Sequence, residues 1–385
     1  MIVMVITGLE TFIVEPRWLF LAIRTDEGIT GWGEPIVEGK AATVAAAIQE
    51  MSGSLIGKDP GPIEDHWQTL IKGGFYRGGP VLSSAVAGID QALWDIKGKA
   101  LGVPIHELLG GPVRHSQRVY GWIGGDEPGQ LAESALQRVE QGYNAVKMNG
   151  GGAMRALESR AEIKGIVERV AAVREAVGDA VDIGIDFHGR FSPALARVAC
   201  RALEPLNPLF VEEPVVPELQ LDLAKITEAT TIPVATGERL YSRWDFREVL
   251  RTGIAVVQPD LSHAGGISEC RRIAAAAETY GVSLAPHCPL GPIAFAACLQ
   301  VDFASPNAII QETSLGIHYN SGSSELLDYL VDPGVFDFAD SSIARLTGPG
   351  LGIKIDEAAV RRAAKASHDW HNPVWRHADG SFAEW

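Results

Sequence analysis

A (β/α)8 barrel preceded by a smaller α+β capping domain is the fold class this 385-residue chain predicts, and three observations predict it. Residues 3–35 carry three short β-like runs followed by helical stretches, the order of an α+β unit. From residue 117 onward, β-like runs alternate with amphipathic stretches over about 250 residues, the size of one eightfold barrel. No G-x-G-x-x-G follows the first of these runs, which argues against an open doubly wound sheet. The expected division is 1–116 for the capping domain, 117–365 for the barrel and 366–385 for a Trp-containing tail that packs on the capping domain.

The elements follow in order. Strands are expected at 6–14 and 18–23, and an Asp26-Glu27-Gly28 turn leads into a third at 30–34. Helical periodicity marks 43–51, 63–71 and 84–101. Barrel strands are expected at 118–122, 145–148, 181–186, 209–212, 233–236, 255–258, 283–287 and 308–311. The helices between them include 167–177, 194–206, 244–250 and 267–280. The run 149–161, with Gly150-Gly151-Gly152, reads as a mobile insertion after the second barrel strand.

Charge and composition narrow the function. Lys+Arg number 33 against 48 Asp+Glu, a formal net charge of -15, which excludes the basic surface a nucleic-acid binder needs. Small anionic substrates stay open, because one bound cation reverses the local field. The four cysteines, Cys200, Cys270, Cys288 and Cys298, form no C-x-x-C pair and suit a reduced, cytoplasmic chain. The start lacks a basic n-region and reads as a strand rather than a signal peptide. No apolar run reaches the length of about 18 residues that a membrane span needs.

Three acids stand at strand ends. Asp186 closes the third barrel strand, Glu212 the fourth, and Glu238 follows the fifth, at intervals of 26 and 26 residues. One βα unit is about that long, so the three carboxylates are expected at one height, at the C-terminal mouth where barrel active sites sit. Converging carboxylates repel unless a hard divalent cation such as Mg²⁺ binds among them. Asp260 and His287 end the sixth and seventh strands, 27 residues apart, and a carboxylate beside an imidazole builds a general base. Glu312 ends the eighth. His188, two residues past Asp186, shares its side of the strand, as a proton donor, a metal ligand or polar filler.

Five stretches in order carry a resemblance. They are Ile185-Asp186-Phe187-His188-Gly189-Arg190, Val211-Glu212-Glu213-Pro214, Thr236-Gly237-Glu238-Arg239-Leu240-Tyr241-Ser242-Arg243, Gln258-Pro259-Asp260-Leu261-Ser262-His263-Ala264-Gly265-Gly266 and Ala285-Pro286-His287-Cys288-Pro289-Leu290-Gly291-Pro292. With them the chain resembles the enolase superfamily, and within it the mandelate racemase subgroup. The resemblance implies that Asp186, Glu212 and Glu238 bind Mg²⁺ and that His287, polarised by Asp260, takes the C2 proton of an acid sugar. It implies that His188 protonates the departing 3-hydroxyl and that Glu312 hydrogen-bonds the substrate carboxylate. D-Galactonate is the substrate expected first and 2-dehydro-3-deoxy-D-galactonate its product, in a homo-oligomer without nucleic-acid or membrane partners. Another acid sugar, or an epimerase or racemase of the same superfamily, is the alternative.

One departure bears on that choice. Racemases of the subgroup carry Lys-x-Lys on the second strand, whereas this chain has Lys147-Met148-Asn149. Asn149 cannot take a proton at neutral pH, which favours dehydration over two-base racemisation. Asn149 is expected either to bind a substrate hydroxyl or to cap its strand. Lys147 is expected either near the substrate or in a strand-end ion pair.

Overall fold

The computed structural model describes residues 4–320, 322–366 and 370–385. Strands β1 (Ile6–Val14), β2 (Trp18–Thr25) and β3 (Thr30–Gly33) form an antiparallel sheet in the order β1-β2-β3. Trp18 through Ile23 on β2 are fully buried, so this run is apolar on both faces rather than alternating. Helices α1 (Ala41–Met51), α2 (Ile63–Lys72) and α3 (Pro80–Leu101) complete the unit. Two glycines let α3 lie directly on the sheet. A Cβ on Gly33 would come 2.0 Å from the Gly88 carbonyl oxygen, and one on Gly31 2.1 Å from that of Ala92.

The barrel strands are β4 (Ser116–Trp122), β5 (Ala145–Asn149), β6 (Asp182–Asp186), β7 (Phe210–Glu212), β8 (Val234–Thr236), β9 (Val256–Val257), β10 (Ser283–Leu284) and β11 (Gln311–Glu312). They pair in parallel from β4 through β10. A bridge from Leu284 to Ala308 and the pairing of Gln311 with Val119 close the ring. Register sets Asn149 opposite Asp186 and Asp186 opposite Glu212, so the strand-end residues share one height. Beneath them Tyr120, Ala145, Phe210, Ala235, Val256, Ala285 and Ile310 form a packed apolar floor.

Several boundaries differ from expectation for local reasons. The seventh barrel strand stops at Leu284, because Pro286 has no N–H for a ladder. The helix expected from 167 starts at Arg160, because the Ser159 side chain accepts from Glu162 N and caps it. The run 149–161 is pinned: Arg190 Nη1 donates to Gly151 O at 2.6 Å and Ser192 Oγ to Ala156 O at 2.6 Å. A hairpin of Phe338–Ala339 and Ser342–Ala344, absent from the expected elements, pairs antiparallel with β4.

The capping unit reaches the barrel through carboxylates aimed at helix N-termini. Glu34 accepts from Gly291 N at 2.7 Å and Ala294 N at 2.9 Å, where the helix Pro292–Ala304 begins. Asp90 on α3 accepts from Ser268 N at 2.9 Å, where the helix Gly266–Thr279 begins. Burial pushes the Glu34 carboxyl up to about 8 and the Asp90 carboxyl up to about 7, against the hydrogen bonds they accept. The tail touches both units: Arg17 lies 5.3 Å from the Trp370 ring, and Arg190 lies 4.6 Å from that of Trp375.

Candidate active site

At the C-terminal mouth of the barrel, Asp186, Glu212 and Glu238 bring carboxylate oxygens within 4.8 Å of one another. Asp186 and Glu212 are fully buried. Asp186 Oδ1 accepts from His188 N at 2.7 Å. Its Oδ2 has no hydrogen bond of good geometry, although Lys147 Nζ lies 3.1 Å away and His188 Nε2 3.2 Å away. Glu212 accepts from Gln258 Nε2 at 2.6 Å and pairs closely with Lys147. Glu238 lies 3.2 Å from His287 Nε2. Glu213 turns away from this group and accepts from Thr236 Oγ1, Gly237 N and Arg239. His188 and Glu213 adopt left-handed backbone, φ 49° and 43°, directly after β6 and β7, so the chain is strained where it aims these side chains.

The charges fit a divalent cation. Burial pushes Glu212 well above the usual carboxylate range, and Asp186 adds to this while Lys147 opposes it. Burial also lifts Glu238 to about 7, against His287. Asp186 is held low despite burial, by His188 and Lys147. Three acids are crowded together with incomplete compensation, one buried oxygen lacks a hydrogen bond, and the donors are hard oxygens. That is a set suited to Mg²⁺-like ions and poorly suited to softer ones.

Two imidazoles flank the carboxylates. His287 Nδ1 lies 2.8 Å from Asp260 Oδ2, and Asp260 Oδ1 accepts from Ser262 N at 2.6 Å and His263 N at 3.1 Å. Burial disfavours charge on His287, but Glu238, Glu312 and Asp260 outweigh it and raise the ring well above its ordinary value. A cation beside Glu238 would cancel part of that field and move His287 toward a neutral base. His188 stacks on Trp122, ring centroids 6.1 Å apart and planes 9° apart. Burial lowers it to about 4, with Asp186 opposing.

Lys147 is fully buried, pairing with Asp186, Glu212 and, at 3.2 Å, Glu312. Burial would strip its charge, but these three acids hold its pKa well above normal. Asn149 is exposed and lines the cavity. Glu312 ends β11, the strand end expected for it. Both its oxygens are engaged below the cavity, accepting from Trp122 Nε1 at 2.6 Å, Lys147 at 3.2 Å and Cys288 N at 2.7 Å. Burial would raise it, but Lys147 and His287 keep it low.

His188, Glu238 and His287 line a cavity of about 1000 Å³ together with Arg17 of the capping unit and Trp370, Asn372 and Trp385 of the tail. His263, Arg190 and Arg239 also line it and were not among the expected site residues. His263 was within reach of sequence reasoning, lying three residues past Asp260 in a stretch already singled out. The tail residues carried no such signal.

A parallel barrel with acids and imidazoles at its C-terminal mouth, closed by an α+β unit, defines a class of barrel enzymes that work beside a metal. Residues 7–110 match the mandelate racemase / muconate lactonizing enzyme N-terminal domain, and residues 130–359 the enolase C-terminal domain-like family. The chain belongs to the enolase superfamily, in its mandelate racemase branch. It is 55% identical over 383 residues to a D-galactonate dehydratase of Xanthomonas oryzae pv. oryzae, spanning 99% of this chain and 100% of the relative. The D-galactonate dehydratase of Variovorax paradoxus matches at the same identity and coverage. Among solved structures, an enolase from Agrobacterium radiobacter with sodium and L-malate bound superposes with a TM-score of 0.91 at 31% identity, covering 98% of this chain and 99% of that one.

Proposed function

We propose that this chain dehydrates an acid sugar, D-galactonate foremost, to the 2-dehydro-3-deoxy acid, with Mg²⁺ as its metal. The observation that carries the reading is the pair of imidazoles beside the carboxylate cluster, His287 backed by Asp260 and His188 beside Asp186. The position that would hold a second strand-two base is Asn149. The D-galactonate dehydratases at 55% identity support the substrate.

Asp186, Glu212 and Glu238 would hold the cation, which would supply positive charge to offset the negative charge the substrate gains on losing its C2 proton. His287 donates a hydrogen bond from Nδ1–H to the Asp260 carboxylate, leaving Nε2 to accept the proton from C2. The C2–H electrons pass into the enediolate and then into a C2–C3 double bond as the C3–O bond breaks. His188 delivers a proton to that oxygen, which leaves as water. Burial keeps the free His188 ring neutral, and an anionic substrate beside it draws its pKa upward. The enol product then tautomerises to the keto acid. Lys147 and Glu312 position the site from below: Lys147 spaces Asp186 from Glu212, and Glu312 holds the Cys288 amide beside His287. Asn149 is assigned a substrate hydroxyl. The reading carries a cytoplasmic homo-oligomer, in keeping with four buried, unpaired cysteines.

The test is a panel of aldonic acids incubated with the protein and Mg²⁺, read as 2-keto acid formed. D-Galactonate should turn over best. Deuterium entering C2 from D₂O with no water lost from any acid would replace this reading with epimerisation.

A further inference from the structure

We propose that the C-terminal tail forms the wall that recognises the far end of the substrate, with Trp370, Asn372 and Trp385 selecting acid-sugar chain length. This rests on the acid-sugar reading above. The proposed chemistry uses only C1 to C3, at the strand ends where His188, Glu238 and His287 line the cavity. The remaining carbons of a six-carbon acid must extend away from those ends, into space lined by the tail. A polyol presents C–H faces and hydroxyls by turns. Indole faces pack against the first, and an amide donates to and accepts from the second.

The wall is built rather than draped. Asp379 pairs with Arg155 at 2.9 Å, tying the tail to the loop after β5. The Arg190 guanidinium, whose Nη1 holds Gly151 O, lies 4.6 Å from the Trp375 ring. A two-strand hairpin sets Trp375 opposite Ala383 and Arg376 opposite Phe382, placing Trp385 two residues beyond the last pair. Trp370 and Trp385 sit with ring centroids 6.3 Å apart. Asn372 is seated against Gly39 of the capping unit, where a Cβ would come 2.0 Å from its Oδ1.

The experiment measures the affinity of four-carbon and six-carbon aldonates for the Mg²⁺-loaded protein by calorimetry, in a His287→Asn background that holds back turnover, with the tail as in wild type and with Trp385→Ala. The quantity read is the ratio of the two affinities. The wild-type tail should prefer the six-carbon acid, and Trp385→Ala should reduce that preference by roughly tenfold while the four-carbon affinity stays put. A ratio unchanged by the substitution, or no preference with the wild-type tail, overturns the proposal. Should Trp385→Ala fail to fold by circular dichroism, Asn372→Ala is read by the same rule. Length-selective binding here, with no keto acid formed by the unsubstituted protein from the panel of aldonic acids above, would remove the dehydratase reading and leave the wall standing.

Discussion

Asp90 offers a test of how the capping unit is seated on the barrel. Its carboxylate is buried, one oxygen accepts from Ser268 N at 2.9 Å, and the other has no hydrogen bond. A Cβ on Gly266 would lie 2.5 Å from Asp90 Oδ2, so the group is pressed against the start of a barrel helix. Burial lifts its pKa from the ordinary 3.8 to about 7. The folded chain therefore binds a proton that the unfolded chain releases between those two values. Stability is fully present below the unfolded value, falls by about 1.4 kcal/mol per pH unit as pH rises through the window, and levels off above the folded value. Over the whole window the loss is about 4 kcal/mol. Asp90→Asn keeps an acceptor for Ser268 N, has nothing to ionise and escapes this loss. Urea unfolding of both proteins at pH 5 and pH 8 isolates the effect, because other titrating groups cancel in the difference. The variant's advantage should grow by about 3 kcal/mol from pH 5 to pH 8. An advantage that stays constant with pH, or a variant less stable than wild type at pH 8, would refute burial as the force on this carboxylate.

The remaining predictions concern the chemistry. Glu212→Gln should lose calorimetric Mg²⁺ binding and turnover with the circular dichroism spectrum intact; a variant that still binds Mg²⁺ and turns over normally removes Glu212 from the ligand set. His287→Asn should slow exchange of the C2 proton with D₂O by on the order of 10²–10⁴, and exchange at the wild-type rate would assign the base elsewhere. His188→Asn should lose dehydration of the hydroxyl substrate yet retain elimination from a 3-fluoro analogue, since fluoride needs less acid assistance to leave. Equal impairment on both would point to positioning instead of proton donation.

Much of the mouth of the barrel was legible because a βα unit has a nearly constant length. Asp186, Glu212 and Glu238 recur at 26-residue steps, and β6 and β7 pair Asp186 with Glu212 at one height. The Asp260 to His287 interval followed the same arithmetic and ends in a 2.8 Å contact. Glu213, next in sequence, leaves the strand in left-handed backbone and faces Arg239 instead. Lys147 was harder to read, because an ion pair and a substrate contact call for the same residue type, and only its burial among three carboxylates shows which partners it has. Glu312 was placed at the right strand end, but its engagement by Trp122 and Cys288 depends on residues 190 and 24 positions away.

The sequence by itself determined the fold class, the alternation of barrel strands and helices and the ring of acids and imidazoles at the strand ends, because hydrophobic period and unit length are local properties of the chain. Tertiary structure alone decided what surrounds that ring. Glu34 and Asp90 reach helix N-termini about 180 to 260 positions away, and the tail's tryptophans meet Arg17 and Arg190 across the cavity. Such contacts leave no periodic trace. They arise when elements distant in the chain are packed together, and burial then sets which carboxylates keep their protons and which side chains close the site.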